Sequence, residues 1–586
     1  MTLRRQPYPV AKITGGIDRS LDPSFIADTF ARDANNIRFD QGIMRKDLGF
    51  ANLGSGLPLK GTYVMWIDDF TLYNGVEYKL IATNDFVYTY ASNTYTYRNQ
   101  TVSAVAENLT FAVGATKTIT RGANSWVTDG FTVGSIVDTN SANNAGPFIV
   151  TAVNATVLTV TGTMANEGPT SYIANAIKAF TGDEDDRFSG VSIPASNGAE
   201  RYFLTNGKDT MQVGNCASNF ADAANWSGIV PGCLGVFKNR LLAGATTESG
   251  TFCPCRVRWS IAGDPLDDTG TGSGFFDIID TPDWVVNFAS LKNRMFIVKQ
   301  ESLWELVYVG GTDIFEPELA VEGIGTYGPG TVASTGEAII LYSSDGVYAY
   351  DGHTTERISK GVDDLFYHPQ RRIVNAGKIN RSCSIFVEGL DEYWLSLPTV
   401  GDTPDKLFKY NFTEQAWTKS DEAATALGEY KAAAWTTWSS LSANWEDLDW
   451  DWLPSVLASE APTVLKGTSA GLVQQNDWLT KTSKTFDYTS KDWTFAVAQR
   501  WSSVQLLARG GPFYVSYSLD RGNTYSNPEQ IAASNAAEGD EYNEYSVWIN
   551  KTSLTLRVKV TGTANDMDIK WIMPFYIARG RSNLVV

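Results

Sequence analysis

The segments CLGVFKNRLLAGA (233–245) and VVNFASLKNRMFIVKQESLWELVYV (285–309) decide the fold. Each reads as strand, tight turn, strand. Phe237-Lys238-Asn239-Arg240-Leu241 in the first is echoed by Leu291-Lys292-Asn293-Arg294-Met295 in the second. Short apolar runs rich in Val, Phe and Trp, bounded by turn residues, read as strands. A hairpin that returns with the same turn points to a repeat architecture.

The same unit recurs outward in both directions. Upstream lie GTYVMWIDDFTLYNGVEYKLIATNDFVYTY (61–90), with its turn at Asn74-Gly75, and RFSGVSIPASNGAERYFLTNGKDTMQVG (187–214), with Asn197-Gly198 and Asn206-Gly207. Asn-Gly suits the positive φ that a two-residue hairpin turn demands. Downstream lie 330–359, with Asp345-Gly346 and Asp351-Gly352, and 382–419. First turns fall near Asn197, Asn239, Asn293, Gly336 and Gly389, in steps of 42, 54, 43 and 53 residues. A four-stranded propeller blade takes about 40–50 residues. With the unit at 61–99 and a last one ending near 462–473, the expected fold is an all-β propeller of six or seven blades. A string of β-sandwiches is the alternative. The short repeat and aromatics such as Tyr348 and Tyr350 favour a ring, which leaves only short, protected sheet edges.

Two stretches break the repeat. Residues 101–180 are rich in Thr, Ala, Asn and Val, with a hairpin about Asn154 inside 146–162, and read as a small β-barrel or Ig-like module inserted after the first blade. The acidic run Asp183-Glu184-Asp185-Asp186 then reads as a solvated return linker; its spacing fits no EF-hand calcium loop. Residues 476–586 alternate with period 2 and read as a C-terminal β-sandwich. Trp435, Trp438, Trp445, Trp450 and Trp452 precede it, as packing between strands or, alternatively, a sugar-stacking platform. The expected domains are a 1–60 arm with a strand closing the propeller, a first blade at 61–100, the insert at 101–180, further blades at 181–475 and the sandwich at 476–586. A strand near 36–50 is expected to complete the last blade.

Composition bounds the function. The 586 residues suffice for about three to five domains. Lys and Arg number 47 against 65 Asp and Glu, a net charge of −18, which argues against a general nucleic-acid binder. No apolar run approaches a membrane span, and no apolar stretch follows the basic start as in a signal peptide. Five scattered cysteines, Cys216, Cys233, Cys253, Cys255 and Cys383, form no disulfide framework and fit a reducing cytosol. His353 and His368 are the two histidines, too few for a multi-His zinc site.

The chemical motifs are mostly negative. Gly323, Gly325 and Gly328 spell GxGxxG, but Pro329-Gly330 follows where a dinucleotide site needs a helix, so a Gly-rich loop is expected. Cys253-Pro-Cys255 has too short a spacing for a zinc knuckle. Ser518, Asp520, Gly522, Thr524 and Tyr525 match S-x-D-x-G-x-T-[WY], the Asp-box. In that hairpin the carboxylate accepts backbone N–H bonds, Gly takes positive φ and the aromatic packs beneath. The motif resembles the Asp-boxes of sialidases, where it is structural. With 65 acids, a catalytic pair cannot be assigned from sequence. No catalytic, cofactor or metal residue is expected.

The opening stretch carries a wider resemblance. Asn35-Asn36-Ile37-Arg38-Phe39-Asp40-Gln41-Gly42 with Arg45-Lys46 is similar to a hairpin that precedes the propeller in tail proteins of short-tailed bacteriophages. The Trp-rich segment and the C-terminal SLDRGNTYS, EYNEYSVW and LRVKVTG resemble later parts of those proteins. The chain thus resembles a tail nozzle, or tail hub, protein. The resemblance implies a non-enzymatic virion protein, made in the host bacterial cytoplasm. It implies a homo-hexamer below the head-to-tail adaptor, with tail fibres or spikes attached. Double-stranded DNA would be retained and then passed through its channel without sequence-specific binding. The alternatives are a virion-associated glycan hydrolase or depolymerase, and a carbohydrate-binding adhesin.

Overall fold

A computed structural model describes residues 5–8, 13–57, 63–72, 76–91, 94–194, 200–311, 313–430, 463–476, 481–531, 542–565 and 567–578. The turns at Asn74-Gly75 and Asn197-Gly198 and the five tryptophans between 435 and 452 lie outside the described residues.

The repeat units are antiparallel meanders arranged in a ring. Blade 1 is built on the innermost strand Val64–Thr71, blade 2 on Ser189–Pro194, blade 3 on Cys233–Phe237 and blade 4 on Val285–Leu291. Val332–Ser334, Cys383–Val387 and Ala426–Tyr430 follow as the inner strands of blades 5, 6 and 7. Each inner strand adjoins the next, and Ala426–Tyr430 returns to Val64–Thr71. Six blades stand as sheets of their own, whereas blade 6 (383–420) fills its place in the ring and continues into a large mixed sheet.

Strand alternation holds the ring together. In Arg294–Lys299, Ile297 packs with Trp259 and Trp304 between blades 3 and 4. Its neighbours Phe296 and Val298 point the other way, to Ile339 and Tyr350 between blades 4 and 5. A strand buried on both faces is continuously apolar in its middle, as Met295-Phe296-Ile297-Val298 is. The two echoed hairpins turn differently: Lys238 and Asn239 both have positive φ, whereas Lys292 does and Asn293 does not.

The last blade is closed by the N-terminal arm. Ala51–Asn52 is its outermost strand, paired as Gln474↔Asn52 and Gln475↔Ala51. The closing residues are therefore 51–52 rather than 36–50, which is used elsewhere. Ala31–Asn35 pairs with Phe486–Ser490, and the hairpin of Ile37–Asp40 with Ile43–Lys46 pairs with Asp568–Ile577. That hairpin turns through Gln41 and Gly42, both at positive φ.

These arm strands join the C-terminal segment in the large mixed sheet, so the expected 476–586 sandwich does not fold on its own strands. Its frame is Trp493–Arg509 and the 20-residue Asn543–Gly562. The first half of Asn543–Gly562 pairs with Trp493–Arg509, and the second half with Phe486–Ser490 and Phe513–Ser518. One core runs through blade 5, blade 6, the arm and this segment, with Tyr393, Phe408, Tyr488, Trp493 and Trp501 all buried.

The insert is a closed six-stranded barrel, not an Ig-like sandwich. The strands run from Thr101–Val113 to Glu167–Ile177, and these two also pair to close it. Its interior holds Leu109, Phe111, Trp126 and Phe148. Arg121 is buried there with Glu107 and Asp129 at 2.7 Å each, its guanidinium 4.5 Å from the centre of the Trp126 ring.

Candidate functional site

The acidic run 183–186 is in part solvent-exposed, as expected of a linker, but it is also pinned to the protein. Asp183 accepts the Asp185 N–H at 2.8 Å, which folds the run into a turn. The Asp185 carboxylate then receives Arg381 Nε at 2.6 Å and Nη2 at 3.0 Å, Lys378 Nζ at 2.8 Å and Asn380 Nδ2 at 2.9 Å. Hydrogen bonds from Arg381 hold its carboxyl well below the usual carboxylate range. Asp185 leads into blade 2 and the 376–381 turn leads into blade 6, which are not neighbours in the ring. The run is thus a strap across the axial mouth on the face where the inner strands begin.

Arg187 follows the strap and, unlike it, is buried, 9% exposed. Its Nη2 donates to the Thr425 carbonyl at 3.1 Å, at the entry of blade 7. Tyr63, at the entry of blade 1, and Cys383, at that of blade 6, are its electrostatic neighbours. Sequence reading missed this cluster. Its one local sign was an arginine set between an acidic run and Phe188, at the start of a strand.

The Asp-box residues do come together, at the hairpin between Phe513–Ser518 and Glu529–Ile531. Asp520 accepts Thr524 N–H at 2.9 Å, Thr524 Oγ1 at 2.5 Å and Ser518 Oγ at 2.7 Å. Ser518 Oγ accepts Gly522 N–H at 2.8 Å. The Thr524 hydrogen bonds hold the Asp520 carboxyl at about 2, so it carries no proton to donate near neutral pH. Gly522 has φ +89°, as the motif requires. Tyr525 is 38% exposed, with its hydroxyl close to Gly522 of the turn and beside Arg557.

The remaining motif residues are structural. Gly325 admits no side chain, because a Cβ there would lie 2.3 Å from the Lys299 carbonyl, and one on Gly328 would lie 2.8 Å from the Ile379 carbonyl. All five cysteines are free thiols. Burial pushes Cys216, Cys233 and Cys383 up to about 12, away from the thiolate form that reacts. Cys253 and Cys255 share one face of a strand, and Cys255 Sγ lies 3.4 Å from the Asp283 carbonyl. His353 is exposed and His368 half-buried. Among the described residues, no group of three His, Cys, Asp or Glu is arranged for a metal ion. No helix among them is long and apolar enough to cross a membrane.

A cleft of about 560 Å³ opens between blades 5 and 6, lined by Glu337, Asp351, Glu356, Asp391, Phe386 and Phe412. Asp351 is committed to the backbone N–H groups of His353 and Thr354, which hold its carboxyl at about 2. A second cleft of about 380 Å³ beside blade 7 includes Glu422 and Lys466, which pair at 2.7 Å. A glycosidase needs one carboxyl kept protonated opposite an ionised partner. Asp351 and Asp520 have the opposite environment.

No protein family and no curated protein matches the chain. Solved structures with a likeness include the dihydro-heme d1 dehydrogenase NirN, 10% identical over 65% of this chain and 70% of that one, with a TM-score of 0.26. An exo-β-1,3-galactanase from Phanerochaete chrysosporium is 9% identical over 66% of this chain and 99% of that one, at 0.21. A virginiamycin B lyase from Staphylococcus aureus is 10% identical over 49% and 99%, at 0.27. Likenesses this low carry nothing about what the chain does.

Proposed function

We propose that the chain is the subunit of a six-membered tail nozzle of a short-tailed bacteriophage. In this reading it sits below the head-to-tail adaptor, anchors fibres or spikes, and conducts DNA during ejection. The observation that carries the reading is a pair of exposed apolar faces on different parts of the molecule. One lies on the outer strands and connections of blades 3 and 4, where Phe252, Phe275, Ile279 and Trp284 are 47–77% exposed. The other lies on the C-terminal segment, where Val497, Trp548 and Leu554 are 51–63% exposed. A cyclic ring is heterologous, so each subunit needs two unlike faces. Exposed aromatic side chains are among those that such contacts use.

The charge supports the same reading. Duplex DNA carries about one negative charge per 1.7 Å of axis. A conduit with a net charge of −18 repels it and leaves it free to slide. The hairpin at 37–46, which bears the phage-tail resemblance, is bonded into the C-terminal sheet, so both ends of the chain serve one module.

Native mass tests the proposal. Six copies of 64.2 kDa make a ring of about 385 kDa, expected in concentrated solution or on addition of the adaptor. A chain that stays monomeric under both conditions, and that releases reducing sugar from host polysaccharide, would replace the nozzle with the hydrolase.

A further inference from the structure

We infer that the cleft between blades 6 and 7 binds a sugar acid, a uronate-type unit whose carboxylate is held by Lys484, Lys466 and the hydroxyl of Thr425. The site is independent of the nozzle reading, which native mass tests separately.

The fold assembles this cleft from three distant segments. The connection from blade 6 to blade 7 supplies Asp421, Glu422 and Thr425, blade 7 supplies Lys466 and Gln474, and the lead into Phe486–Ser490 supplies Lys484. In Thr463–Gly467, Val464 enters a core shared with Trp394 and Leu407 of blade 6. Side chains alternate along a strand, so Lys466, two residues on, faces the same blade. Gln474 is its register partner on the next strand and shares that face. The result is an open cavity of about 380 Å³, within the range of small-molecule sites.

The acids of the cleft are already committed. Glu422 accepts Lys466 Nζ at 2.7 Å on one oxygen and Thr482 Oγ1 at 2.6 Å on the other. Asp421 accepts Lys406 Nζ on one oxygen and the amides of Asn35 and Asn36 on the other, at 3.0 and 2.8 Å. These two ion pairs close on themselves. Lys484 lines the same cleft, and among the described residues no carboxylate pairs with it.

The cleft also holds a donor with nothing to donate to. Thr425 is 2% exposed, and its Oγ1 has no hydrogen-bond partner. Buried hydroxyls are nearly always satisfied, so this one calls for an acceptor from outside the chain. Lys466 has a donor to spare as well. Of the three N–H groups of its ammonium, one is on Glu422, and the ring of Phe50 lies 4.3 Å away, which leaves one for the cleft.

This donor set defines the ligand. It carries one unbalanced positive charge, so it complements a carboxylate better than a doubly charged phosphate. The cavity is larger than a carboxylate needs. Its remaining wall offers the hydroxyls of Ser469 and Ser483, and the amide oxygen of Gln474, whose nitrogen is committed to Asn52 at 2.8 Å. Phe50, half-buried, adds a small apolar edge. Groups that pair with hydroxyls beside one aromatic edge suit a sugar ring, and so little apolar wall would bury a fatty acid poorly.

The test uses the full-length protein and sodium glucuronate, followed by saturation-transfer NMR. Glucuronate should bind about tenfold more tightly than glucose, which lacks the carboxylate, and than acetate, which lacks the ring. Lys484→Met, at the exposed rim, should weaken glucuronate about tenfold and leave melting unchanged. Thr425→Val removes the hydroxyl at nearly constant shape and should also weaken it. Should that variant fail to fold, Lys484→Met still decides. Equal binding of glucose or acetate overturns the inference, as does an unaltered affinity in Lys484→Met. Inorganic phosphate or a polyglutamate peptide that displaces glucuronate at lower concentration would assign the cleft to another anion and overturn it too.

Discussion

Asp47 and Lys409 form an ion pair that is closed off from solvent, with Lys409 Nζ 2.8 and 2.9 Å from the two carboxylate oxygens and side chains 1% and 2% exposed. The ammonium also lies 3.9 Å from the centre of the Trp394 ring. The pair ties the N-terminal arm, just before its closing strand, to blade 6. Removing one partner of a buried pair strands the other charge, which costs about 3–5 kcal/mol. Asp47→Ala should destabilise the protein by that order in urea. Asp47→Leu with Lys409→Met should recover much of the loss. A single variant as stable as the parent would show that the pair is not structural.

The Asp-box turn makes a sharper local test. A Cβ on Gly522 would lie 2.1 Å from Arg557 Nη1, and the φ of +89° disfavours any other residue. Arg557 in turn binds Asp492 through two hydrogen bonds at 2.7 and 2.9 Å. Gly522→Ala must displace that guanidinium, and a loss on the order of 1–3 kcal/mol is expected from the backbone alone. Asp520→Asn should lose less, since Asn can still accept the Thr524 N–H. The ordering of the two by thermal melting checks the geometry.

Asp68 gives a pH dependence with a definite sign. Its carboxylate sits between blades 1 and 2, accepting the Tyr202 hydroxyl at 2.6 Å, and Trp66 Nε1 donates to the same hydroxyl at 3.1 Å. Burial pushes its carboxyl up to about 7, against about 3.9 in an unfolded chain. A raised folded value means that the contribution is full below about pH 4 and is lost as pH rises through 7. Asp68→Asn should flatten the slope of stability between those limits. An unchanged slope would place the titration elsewhere.

The repeat was legible because it is local. Hairpin turns such as Lys238-Asn239 and apolar runs such as RMFIVK announce strands without reference to the rest of the chain. The barrel was legible for the same reason, through its hairpin at 146–162. What sequence could not supply was pairing across long separations. Asn35 meets Lys419, and Met44 meets Ile569, through hydrogen bonds that leave no trace in either segment. The pinning of the acidic run was not legible because the partners of Asp185, Lys378 and Arg381, lie nearly two hundred residues away. The axial cluster was hidden for the same reason. Tyr63, Arg187, Cys383 and Thr425 form no motif, and the ring alone makes them neighbours.

Closure of the ring can be tested by a staple. Asn52 and Gln474 are register partners 422 residues apart, and Gln474 Nε2 donates to Asn52 Oδ1 at 2.8 Å. Replacing both with cysteine should give a disulfide under mild oxidation. A cross-link that closes so long a loop restricts the unfolded chain and should add on the order of 2–4 kcal/mol. Failure to oxidise, with both thiols titratable in the folded protein, would refute the pairing of the arm with the last blade.

The two apolar faces make the assembly testable residue by residue. Trp284 is 49% exposed and meets Phe252 edge-on, with ring centres 5.3 Å apart. Aromatic side chains concentrate the binding energy of interfaces. Their partners should be on the neighbouring subunit's C-terminal face, where Trp548 is 58% exposed and Leu554 51%. Trp284→Ser with Phe252→Ser should leave melting unchanged, since neither side chain fills the core, and should abolish the ring. Trp548→Ser with Leu554→Ser should do the same from the other side. In a heterologous ring, a mixture of the two variants restores one functional contact per pair of unlike subunits and cannot close. It should therefore give dimers by native mass. Full rings from the mixture would assign both faces to something other than self-assembly, such as a fibre or the adaptor.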